Sequence, residues 1–344
     1  MHSSPRPQTA ICTWFVADSS EHATYFPQAV GHSDDKDVQD VYWRCSVCFF
    51  ASSLLLNPDQ PHIFFTNCRI PTVDGLDIEQ VFRRWGVQVV RLPITYRLSR
   101  GSVTRWGNQY YILDIIKYFA TKKYSRAIVL DSDCIWVRPV DDLERAIDQY
   151  GVMTYTMGTD DYKTGELING VTRRQMADFL FRFSGMKTDL VAYHGGEIFA
   201  AGRRELERIA SQVDALWKVT SRGAPEAPKE EAHFLSLLYA INGYKHDTAH
   251  KYIKRMWTNL SFNNCNSSDK ELTIWHLPGE KKSGFQQLYA LLARTGGDLE
   301  KVRSLKLGTD EYGRIMGVPR RSWRKLVRDV SAKLVEHASK HAVR

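Results

Sequence analysis

Two aspartates stand at the end of an apolar run. In "AIVLDSDCIW", residues 127–136, Asp131, Ser132 and Asp133 interrupt a segment that is otherwise apolar. Carboxylates are costly to bury unless they are paired or bind a metal. Where a strand ends and the chain turns, two such groups can converge on one ion, and Mg²⁺ or Mn²⁺ is often held between carboxylates and substrate phosphates. The pair therefore predicts a divalent-cation site; the alternative is two solvated loop aspartates.

A second motif follows another apolar run, "LTIW". The segment "HLPGEKK", residues 276–282, has the spacing His-x-x-Gly-x-x-Lys. His276 could supply a nitrogen ligand, which suits Mn²⁺ better than Ca²⁺. Gly279 would let the backbone approach a ligand closely, and Lys282 would lie near the phosphates as a point charge. We predict that His276 completes a metal site with Asp131 and Asp133.

The segments that position these motifs alternate between buried strands and helices. Strands are predicted in "AICTWF", "HIFFTNC", "VQVVRLP" and "RAIVLDSD", and helices in "VYWRCSVCFFASSLLLN", "LDIEQVFRRWG" and "RWGNQYYILDIIKYFA". This alternation predicts an α/β fold with a mostly parallel central sheet and helices on both faces. Such sheets bind ligands beyond the carboxyl ends of their strands. Asp131 and Asp133 fall at such an end.

The second half of the chain is less regular. We predict a strand in "GVMTYTMG", a loop in "TDDYKTGELINGVTRRQ", a helix or a strand-like insert in "RRQMADFLFRFSG", and a glycine turn, strand and helix from "HGGEIFAAG" onward. A helix in "EEAHFLSLLYAING" and a last strand in "LTIW" follow. The predicted domains are a catalytic domain over residues 1–300 and a basic helical tail over residues 301–344.

The Asp-x-Asp and the later His-x-x-Gly-x-x-Lys together resemble the motifs of metal-dependent glycosyltransferases of the GT-A fold, a Rossmann-like α/β fold. The sequence is most similar to the retaining family that includes glycogenin and the bacterial lipopolysaccharide galactosyl- and glucosyltransferases, over about residues 10–290. The resemblance implies a hexosyltransferase with a nucleotide-sugar donor, usually UDP-linked, and a glycan, glycolipid or protein acceptor. It also implies Mn²⁺ or Mg²⁺ on Asp131, Asp133 and His276, with Lys282 on the diphosphate.

The resemblance implies further donor contacts. The base would lie against the end of the first strand, at Phe15, Val16, Ala17 and Asp18. Polar groups would come from the helix before the Asp-x-Asp and from the motif itself, at Gln109, Asp114, Lys117 and Ser132.

Candidate groups for the sugar chemistry are His194, Glu197 and Glu231, with His233 as a further hydroxyl partner. His194 stands where the family has Asn, Glu230-Glu231 where it has Asp-Gln, and Ser283-Gly284 where Pro-Trp often ends the histidine motif. These differences predict a divergent member with a different sugar or acceptor.

The composition bounds the class of protein. The chain has 344 residues, of which 43% are hydrophobic and 25% charged, as in a globular protein with a core. The N-terminal residues lack the apolar run of a signal peptide, and no stretch approaches the roughly 18 apolar residues of a membrane span. These features predict a cytoplasmic protein. Cys45 and Cys48 form a Cys-x-x-Cys without a second pair at zinc-finger spacing, so buried thiols are predicted there.

Most of the net charge of +8 lies in the tail. Residues 314–344 carry nine basic and two acidic side chains, so the rest of the chain is close to neutral. No nucleic-acid partner is predicted from this distribution. Apolar residues recur at helical spacing, at Trp323, Leu326, Val327, Val330, Leu334 and Ala338. Such a basic amphipathic helix could lie on the inner face of an anionic membrane, or pack on the domain through its apolar face.

Two other functions stay open on the sequence alone. Phosphatases of the haloacid dehalogenase type also carry Asp-x-Asp after a buried strand, but they usually carry it near the start of the chain and have Thr or Val where Ile135 stands here. A non-catalytic protein that binds a nucleotide sugar, or a nucleic acid through the tail, is the second alternative.

Overall fold

A computed structural model describes residues 8–99, 105–157, 165–259, 262–327 and 329–330. The strands are β1 (Thr9–Trp14), β2 (Tyr25–Phe26), β3 (Gly31–His32), β4 (His62–Thr66), β5 (Thr72–Val73), β6 (Leu76–Asp77), β7 (Gln88–Arg91), β8 (Arg126–Leu130), β9 (Cys134–Trp136), β10 (Val152–Met153), β11 (Ile198–Gly202), β12 (Ile253–Arg255) and β13 (Ile274–His276). The helices are α1 (Lys36–Leu56), α2 (Ile78–Arg84), α3 (Tyr111–Ala120), α4 (Asp141–Tyr150), α5 (Arg173–Ser184), α6 (Arg203–Thr220), α7 (Glu231–Asn242), α8 (Gly284–Ala293), α9 (Leu299–Ser304) and α10 (Thr309–Met316).

Six strands form the central sheet, in the order β10-β11-β8-β1-β4-β7. β8, β1, β4 and β7 run parallel, while β11 and β10 join as an antiparallel pair at one side. Side chains alternate between the two faces of a strand. Ile11 of β1 therefore belongs to the apolar cluster that contains residues of α1, α2, α4 and α8, whereas its neighbours Ala10 and Cys12 belong to the cluster of α3, α5, α6 and α7. The predicted α/β architecture is confirmed.

A second sheet positions the later motif. Its order is β12-β13-β9, with β13 antiparallel to β9 and parallel to β12. The register pairs His276 with Cys134 on one side and with Arg255 on the other. Because Cys134 directly follows Asp133, this pairing brings His276 beside the aspartates. The sequence analysis did not predict this sheet.

Several predicted elements have different bounds. The helix expected from residue 105 begins at Tyr111, because Trp106 has a φ of 50° and residues 107–110 form turns. The helix expected from Leu76 begins at Ile78, because Leu76 pairs with Val73 in a short hairpin. The segment with two alternatives, "RRQMADFLFRFSG", is helix α5, whose first turn carries a capping box of Thr172 and Gln175.

Other predicted segments are found close to where they were expected. The strand in "GVMTYTMG" is the two-residue β10, and β11 and α6 follow the double glycine. Residues 159–164 of the predicted loop, and Gly158 of the predicted strand before it, lie outside the described residues. Cys45 and Cys48 are buried free thiols on α1, as predicted.

The apolar core continues beyond residue 300. Val302, Tyr312, Met316 and Val318 belong to the same cluster as α1 and β9. The domain boundary at residue 300 remains a prediction, but the residues that follow it are not separately packed. Among the described helices, none is both long and apolar enough to cross a membrane.

The described part of the tail differs from one of the two expectations, the packing of its apolar face on the domain. Residues 323–327 and 329–330 are helical. Its apolar side chains face solvent, with Trp323 71% exposed and Leu326 and Val327 also exposed, while Lys325 is buried. Packing through the apolar face is therefore wrong for these residues, and Leu334 and Ala338 lie outside the described residues.

Candidate metal and nucleotide-sugar site

A pocket opens where β1 and β8 end. These parallel strands are neighbours in the central sheet, so the chain that leaves each of them, at Phe15 and at Asp131, reaches the same edge. β11 is antiparallel to β8 and therefore begins at this edge, where the Asp131 amide donates to the Glu197 carbonyl at 3.2 Å. The pocket opens to solvent and has a cavity volume of about 150 Å³.

Asp131, Asp133 and His276 meet on one wall of this pocket. His276 Nε2 lies 3.5 Å from Asp131 Oδ2 and 3.3 Å from Asp133 Oδ2. One ligand atom from each residue lies within 4.8 Å of the others, so the three could hold one metal ion. The strand end and the β9–β13 register thus bring together residues 145 positions apart, as the sequence predicted for the group.

Asp133 is buried and surrounded by cations. Its carboxylate accepts a hydrogen bond from Lys281 Nζ and lies against His276. Burial raises the pKa of Asp133, but Lys281 and His276 outweigh it and hold this pKa well below its usual range. Burial lowers the pKa of His276, and the neighbouring Asp133 outweighs it and raises the pKa to about 9. Asp131 is nearer the mouth, and enclosure together with Asp133 raises its pKa to about 6 despite His276.

Glu197 is bound behind His276 and does not stand free in the cleft. Arg255 Nε and Nη2 donate to its two oxygens at 3.0 and 2.7 Å. Burial raises the pKa of Glu197, but Arg255 outweighs it and the pKa falls to about 2. Glu197 Oε1 is also 3.9 Å from His276 Nδ1. A Cβ on Gly195 would lie 2.0 Å from Glu197 Oε2, so a glycine at this position gives the carboxylate its place.

The pocket lining also contains a second acidic pair, Glu230 and Glu231. Glu230 accepts hydrogen bonds from Tyr193 Oη at 2.7 Å and from Asn169 Nδ2 at 2.6 Å. The side-chain amide of Gln109 faces Glu231, with its nitrogen 2.7 Å from Glu231 Oε2 when the amide is oriented to donate.

Glu231 of this second pair lacks a cationic partner among the described residues. Burial, Glu230 and Asp131 raise the pKa of Glu231 well above its usual value. No Lys or Arg forms a salt bridge to Glu231 within the described part of the chain. A Cβ on Gly196 would meet Glu231 Oε1 at 2.2 Å, so the second glycine makes room for this carboxylate.

Aromatic side chains form a third part of the lining. Phe15 follows β1, Phe26 lies in the β2–β3 hairpin, and Tyr42 comes from α1. Trp106 lies near them and donates from Nε1 to Gln28 Oε1 at 3.3 Å. Flat apolar faces beside polar groups of this kind suit a planar ring such as a nucleobase.

About half of the predicted site residues line this pocket. Those that do are Phe15, Gln109, Asp131, Ser132, Asp133, Glu197, Glu231 and His276. Those that do not are Val16, Ala17, Asp18, Asp114, Lys117, His194, Gly279 and Lys282. The role of each lining residue remains a prediction.

Lys282 does not line the pocket, whereas its neighbour Lys281 does. Lys282 is exposed, whereas Lys281 is buried and reaches Asp133. Pro278–Glu280 form a tight 3₁₀ turn, and this turn aims residue 281 into the pocket. Gly279 is held close to Asn259, since a Cβ there would lie 2.8 Å from Asn259 Oδ1.

The residues of the first strand end and of α3 have structural partners elsewhere. Asp18 is bound to Arg97 at 2.7 Å and accepts from Ser33 at 2.7 Å. Asp114 accepts from the Thr95 amide at 3.0 Å, and Lys117 pairs with Asp214 on α6. Ala17 exchanges two hydrogen bonds with Asn67 and Val16 is in the core, so neither offers a side chain to the pocket.

His194 and His233, the two histidines predicted for the sugar chemistry, also have partners within the fold. His194 stacks on His246 and contacts Thr156 Oγ1 at 3.3 Å. Burial and His246 lower the pKa of His194 to about 3, so its ring is neutral. His233 is buried on α7, where its Nδ1 accepts from the Lys229 amide at 3.3 Å.

The structure adds residues that the sequence analysis missed. Arg255, Lys281, Tyr193 and Asn169 all line the pocket. Lys281 is adjacent to Lys282, which the sequence analysis selected. The spacing of a motif does not predict which of two adjacent side chains a turn directs into a pocket. Arg255 is brought to the site by the second sheet, Asn169 by the loop before α5, and Tyr193 by the loop between α5 and β11.

No protein-family model matches this sequence, and no curated protein does. Among solved structures, one of an active-site mutant of LgtC is 10% identical and aligns over 83% of this chain and 95% of that chain, with a TM-score of 0.49. A second, of the galactosyltransferase LgtC in complex with donor and acceptor sugar analogues, is 10% identical over 82% of this chain and 95% of that chain, with a TM-score of 0.48. At this distance the similarity says nothing of substrate or activity.

Proposed function

We propose that the protein is a metal-dependent glycosyltransferase of the GT-A type that moves a hexose from a nucleotide-diphosphate donor, UDP-linked, to a glycan, glycolipid or protein acceptor. One observation carries this proposal: Asp131, Asp133 and His276 meet at the carboxyl edge of β8, inside one pocket. The aromatic part and the second acidic pair of the same pocket suit the two ends of a nucleotide sugar.

The three side chains fit a divalent cation. Two carboxylates and an imidazole are the ligand types that Mn²⁺ accepts, and Mg²⁺ would accept the carboxylates. They leave room for further oxygen ligands at the open pocket side, where Asp131 is 32% exposed. When bound, the metal would neutralise negative charge on the donor diphosphate.

Lys281 would act with these groups on the leaving diphosphate. Its ammonium is fixed against Asp133 and buried, and although burial lowers its pKa, Asp133 outweighs it and the pKa is raised. A charge that is already oriented in a dry pocket stabilises developing negative charge without reorganisation. Lys281 is therefore the side chain we assign to the departing phosphate.

The base and the sugar would occupy opposite ends of the pocket. The base would pack among Phe15, Phe26 and Trp106, where Asn108 is a neighbouring polar side chain. The sugar would face Glu230 and Glu231, whose oxygens can bind hydroxyl groups. The double glycine beside them lets the chain pass close to the sugar without side chains of its own.

The state of the carboxyl groups favours a retaining reaction. An inverting transferase needs a carboxylate that is free to take the acceptor proton. Glu197 is held by Arg255, and burial keeps Glu231 protonated toward higher pH. A neutral Glu231 donates a hydrogen bond to the sugar, and the departing phosphate receives the acceptor proton instead.

A lipid-linked acceptor would agree with the tail. The exposed apolar residues of the described tail lie within a segment that carries nine basic and two acidic side chains. Anionic lipid attracts such a segment while its apolar side chains enter the interface. Co-sedimentation with vesicles that contain or lack anionic lipid tests this part of the proposal by itself.

A panel of nucleotide sugars tests the central proposal. Thermal unfolding is measured with each donor, with and without Mn²⁺, and each stabilising donor is then assayed for release of its nucleoside diphosphate. We expect one donor to raise the melting temperature only with metal, since a ligand of the folded state stabilises it. Proton NMR of the transferred sugar then reports retention or inversion.

The same panel separates the alternatives. Phosphate esters such as p-nitrophenyl phosphate serve as the phosphatase control, and their metal-dependent hydrolysis without any donor effect would contradict the proposal. Donor stabilisation without turnover on any glycan, lipid or protein acceptor would favour the non-catalytic binding protein.

A further inference from the structure

The C-terminal segment reaches the candidate site through one buried ion pair. Lys325 Nζ donates to Glu280 Oε2 at 2.7 Å, and both side chains are 2% exposed. A buried carboxylate is costly unless its lone pairs are satisfied. Glu280 Oε2 also accepts from Ser283 Oγ at 2.6 Å and from the Gly284 amide at 3.0 Å. The tail thus supplies the single cation that forms a salt bridge to this carboxylate in the described part of the chain.

Glu280 belongs to the turn that carries the pocket lysine. The turn begins where the Leu277 amide donates to the Asp133 carbonyl at 2.9 Å. It continues through the 3₁₀ residues 278–280 to Lys281. Glu280 and Lys281 are neighbours in sequence, yet one contacts the tail and the other contacts Asp133. The anchoring of Glu280 therefore constrains where the Lys281 ammonium lies.

The tail itself is held in place around Lys325. Gly317 has a φ of 83°, and a Cβ there would lie 2.9 Å from Lys325 Cε, so the chain passes directly over the lysine stem. The Lys325 amide donates to Ser322 Oγ at 3.2 Å, and Arg321 pairs with Asp329 at 3.3 Å. This packing holds the Lys325 side chain in one conformation, whereas a solvated lysine side chain would sample many.

We infer that Lys325 is a positioning residue of the candidate site: it anchors Glu280, and through the 277–281 turn it fixes Lys281 against Asp133. This inference rests on the proposed function for its consequence, which is tight binding of the donor diphosphate. The structural step, in which Lys325 anchors Glu280 and thereby the turn, does not depend on the proposed function. Nothing in the sequence signalled this link, because residues 280 and 325 lie in predicted separate domains.

The test compares Lys325→Met with three control variants. Arg324→Met removes an exposed cation of the same helix. Val302→Ala shortens a buried side chain of α9 in the main cluster and lowers stability without touching the turn. Lys325→Arg keeps the charge and should restore most of what Lys325→Met loses.

Two measurements are made on each full-length variant. Hydrogen exchange reports the protection of amides 277–284, and titration calorimetry reports the affinity for UDP with Mn²⁺. We expect Lys325→Met to lose protection in that segment and to bind UDP about tenfold more weakly, the lower end of the effect of partners outside the ligand shell. Arg324→Met and Val302→Ala should keep the wild-type affinity.

The outcomes are separable. Unchanged protection of amides 277–284 in Lys325→Met would overturn the inference, whatever the ligand binding. An equal loss of affinity in Val302→Ala would also overturn it, because a general loss of stability would then be the cause. If the wild-type protein binds no nucleotide with Mn²⁺, the proposed function fails, while hydrogen exchange still decides whether Lys325 positions the turn.

Discussion

The pocket holds two pairs of acidic residues, and their surroundings are opposite. Asp131 and Asp133 lie beside His276 and Lys281, and the nearby Glu197 is bound by Arg255. Glu230 and Glu231 are contacted by side-chain amides and a phenol, and the buried His233 ring lies 3.5 Å from Glu230. The pKa of Asp133 is held down, whereas that of Glu231 is driven up. Asp133 therefore stays ionised to lower pH than an ordinary aspartate, whereas Glu231 keeps its proton to higher pH than an ordinary glutamate.

The contrast separates two tasks. An ionised carboxylate beside fixed cations, as at Asp133, suits the proposed metal and diphosphate site. A carboxyl group that keeps its proton, as burial favours for Glu231, can bind hydroxyl groups from either side, as donor or acceptor. Each pair can be changed separately, and the expected effects differ in size.

The largest effect on stability is expected from Arg255→Met. It would leave Glu197 buried without its cation, and removal of one partner of a buried pair costs about 3 kcal/mol of unfolding free energy. Urea unfolding measures this loss. The double variant Arg255→Met with Glu197→Gln should recover most of it, because no charge is then buried alone. A loss below about 1 kcal/mol would place the pair among weak surface bridges.

Metal-dependent stabilisation should disappear in Asp133→Asn. At a Mn²⁺ concentration about 100 times its Kd, binding contributes about 2.7 kcal/mol to the folded state. The amide is of similar size but is a poor metal ligand, so the variant should fold and show no shift with Mn²⁺. Asp178→Asn, an exposed aspartate of α5, is the control. A shift retained in Asp133→Asn would place the metal elsewhere.

The two adjacent lysines provide a matched comparison for the diphosphate. Lys281→Met should weaken UDP binding with Mn²⁺ by about tenfold, since one charge-assisted contact contributes about 1.4 kcal/mol. Lys282→Met should leave the affinity unchanged, because Lys282 is exposed. Calorimetric titration measures both. The reverse result would support the spacing His-x-x-Gly-x-x-Lys over the position seen in the structure.

The smallest effect on unfolding free energy is expected at Glu231, and it depends on pH. Because burial and Glu230 raise the pKa of Glu231, the folded state binds more protons than the unfolded state above the usual value of 4.5. The unfolding free energy of the wild type therefore falls as pH rises through this range. Glu231→Gln cannot lose a proton, so it should match the wild type at pH 4 and exceed it increasingly toward pH 8. Parallel curves in urea unfolding would contradict the raised pKa.

The sequence contained the main sheet and the metal group, but not the details of the pocket. Apolar runs such as "AIVL" predict a buried strand without further information. The position of the Asp-x-Asp at a strand end followed from that prediction. His276 was found because its strand is equally apolar. Phe15 and Ser132 were found because they adjoin these signals.

The remaining errors have physical causes. Asp114 and Lys117 are polar residues on the helix before β8, but the side of a helix that faces a pocket depends on packing, and theirs faces residues 95 and 214. Asp18 and His194 have the right residue types near the right strand ends, yet local partners take them up. Arg255 and Lys325 matter through partners that are distant in sequence, and no local pattern reports such pairs.

The register between β9 and β13 has a consequence for how this chain can vary. Side chains of a strand alternate with a period of two, so a shift of one residue would turn His276 away from Asp133 and carry its neighbour inward. Insertions in the stretch that leads into β13, residues 266–273, should therefore be tolerated only where the loop absorbs them without moving the ladder. Length variation among natural or designed versions of this chain should gather elsewhere, in connections that leave this three-strand pairing untouched.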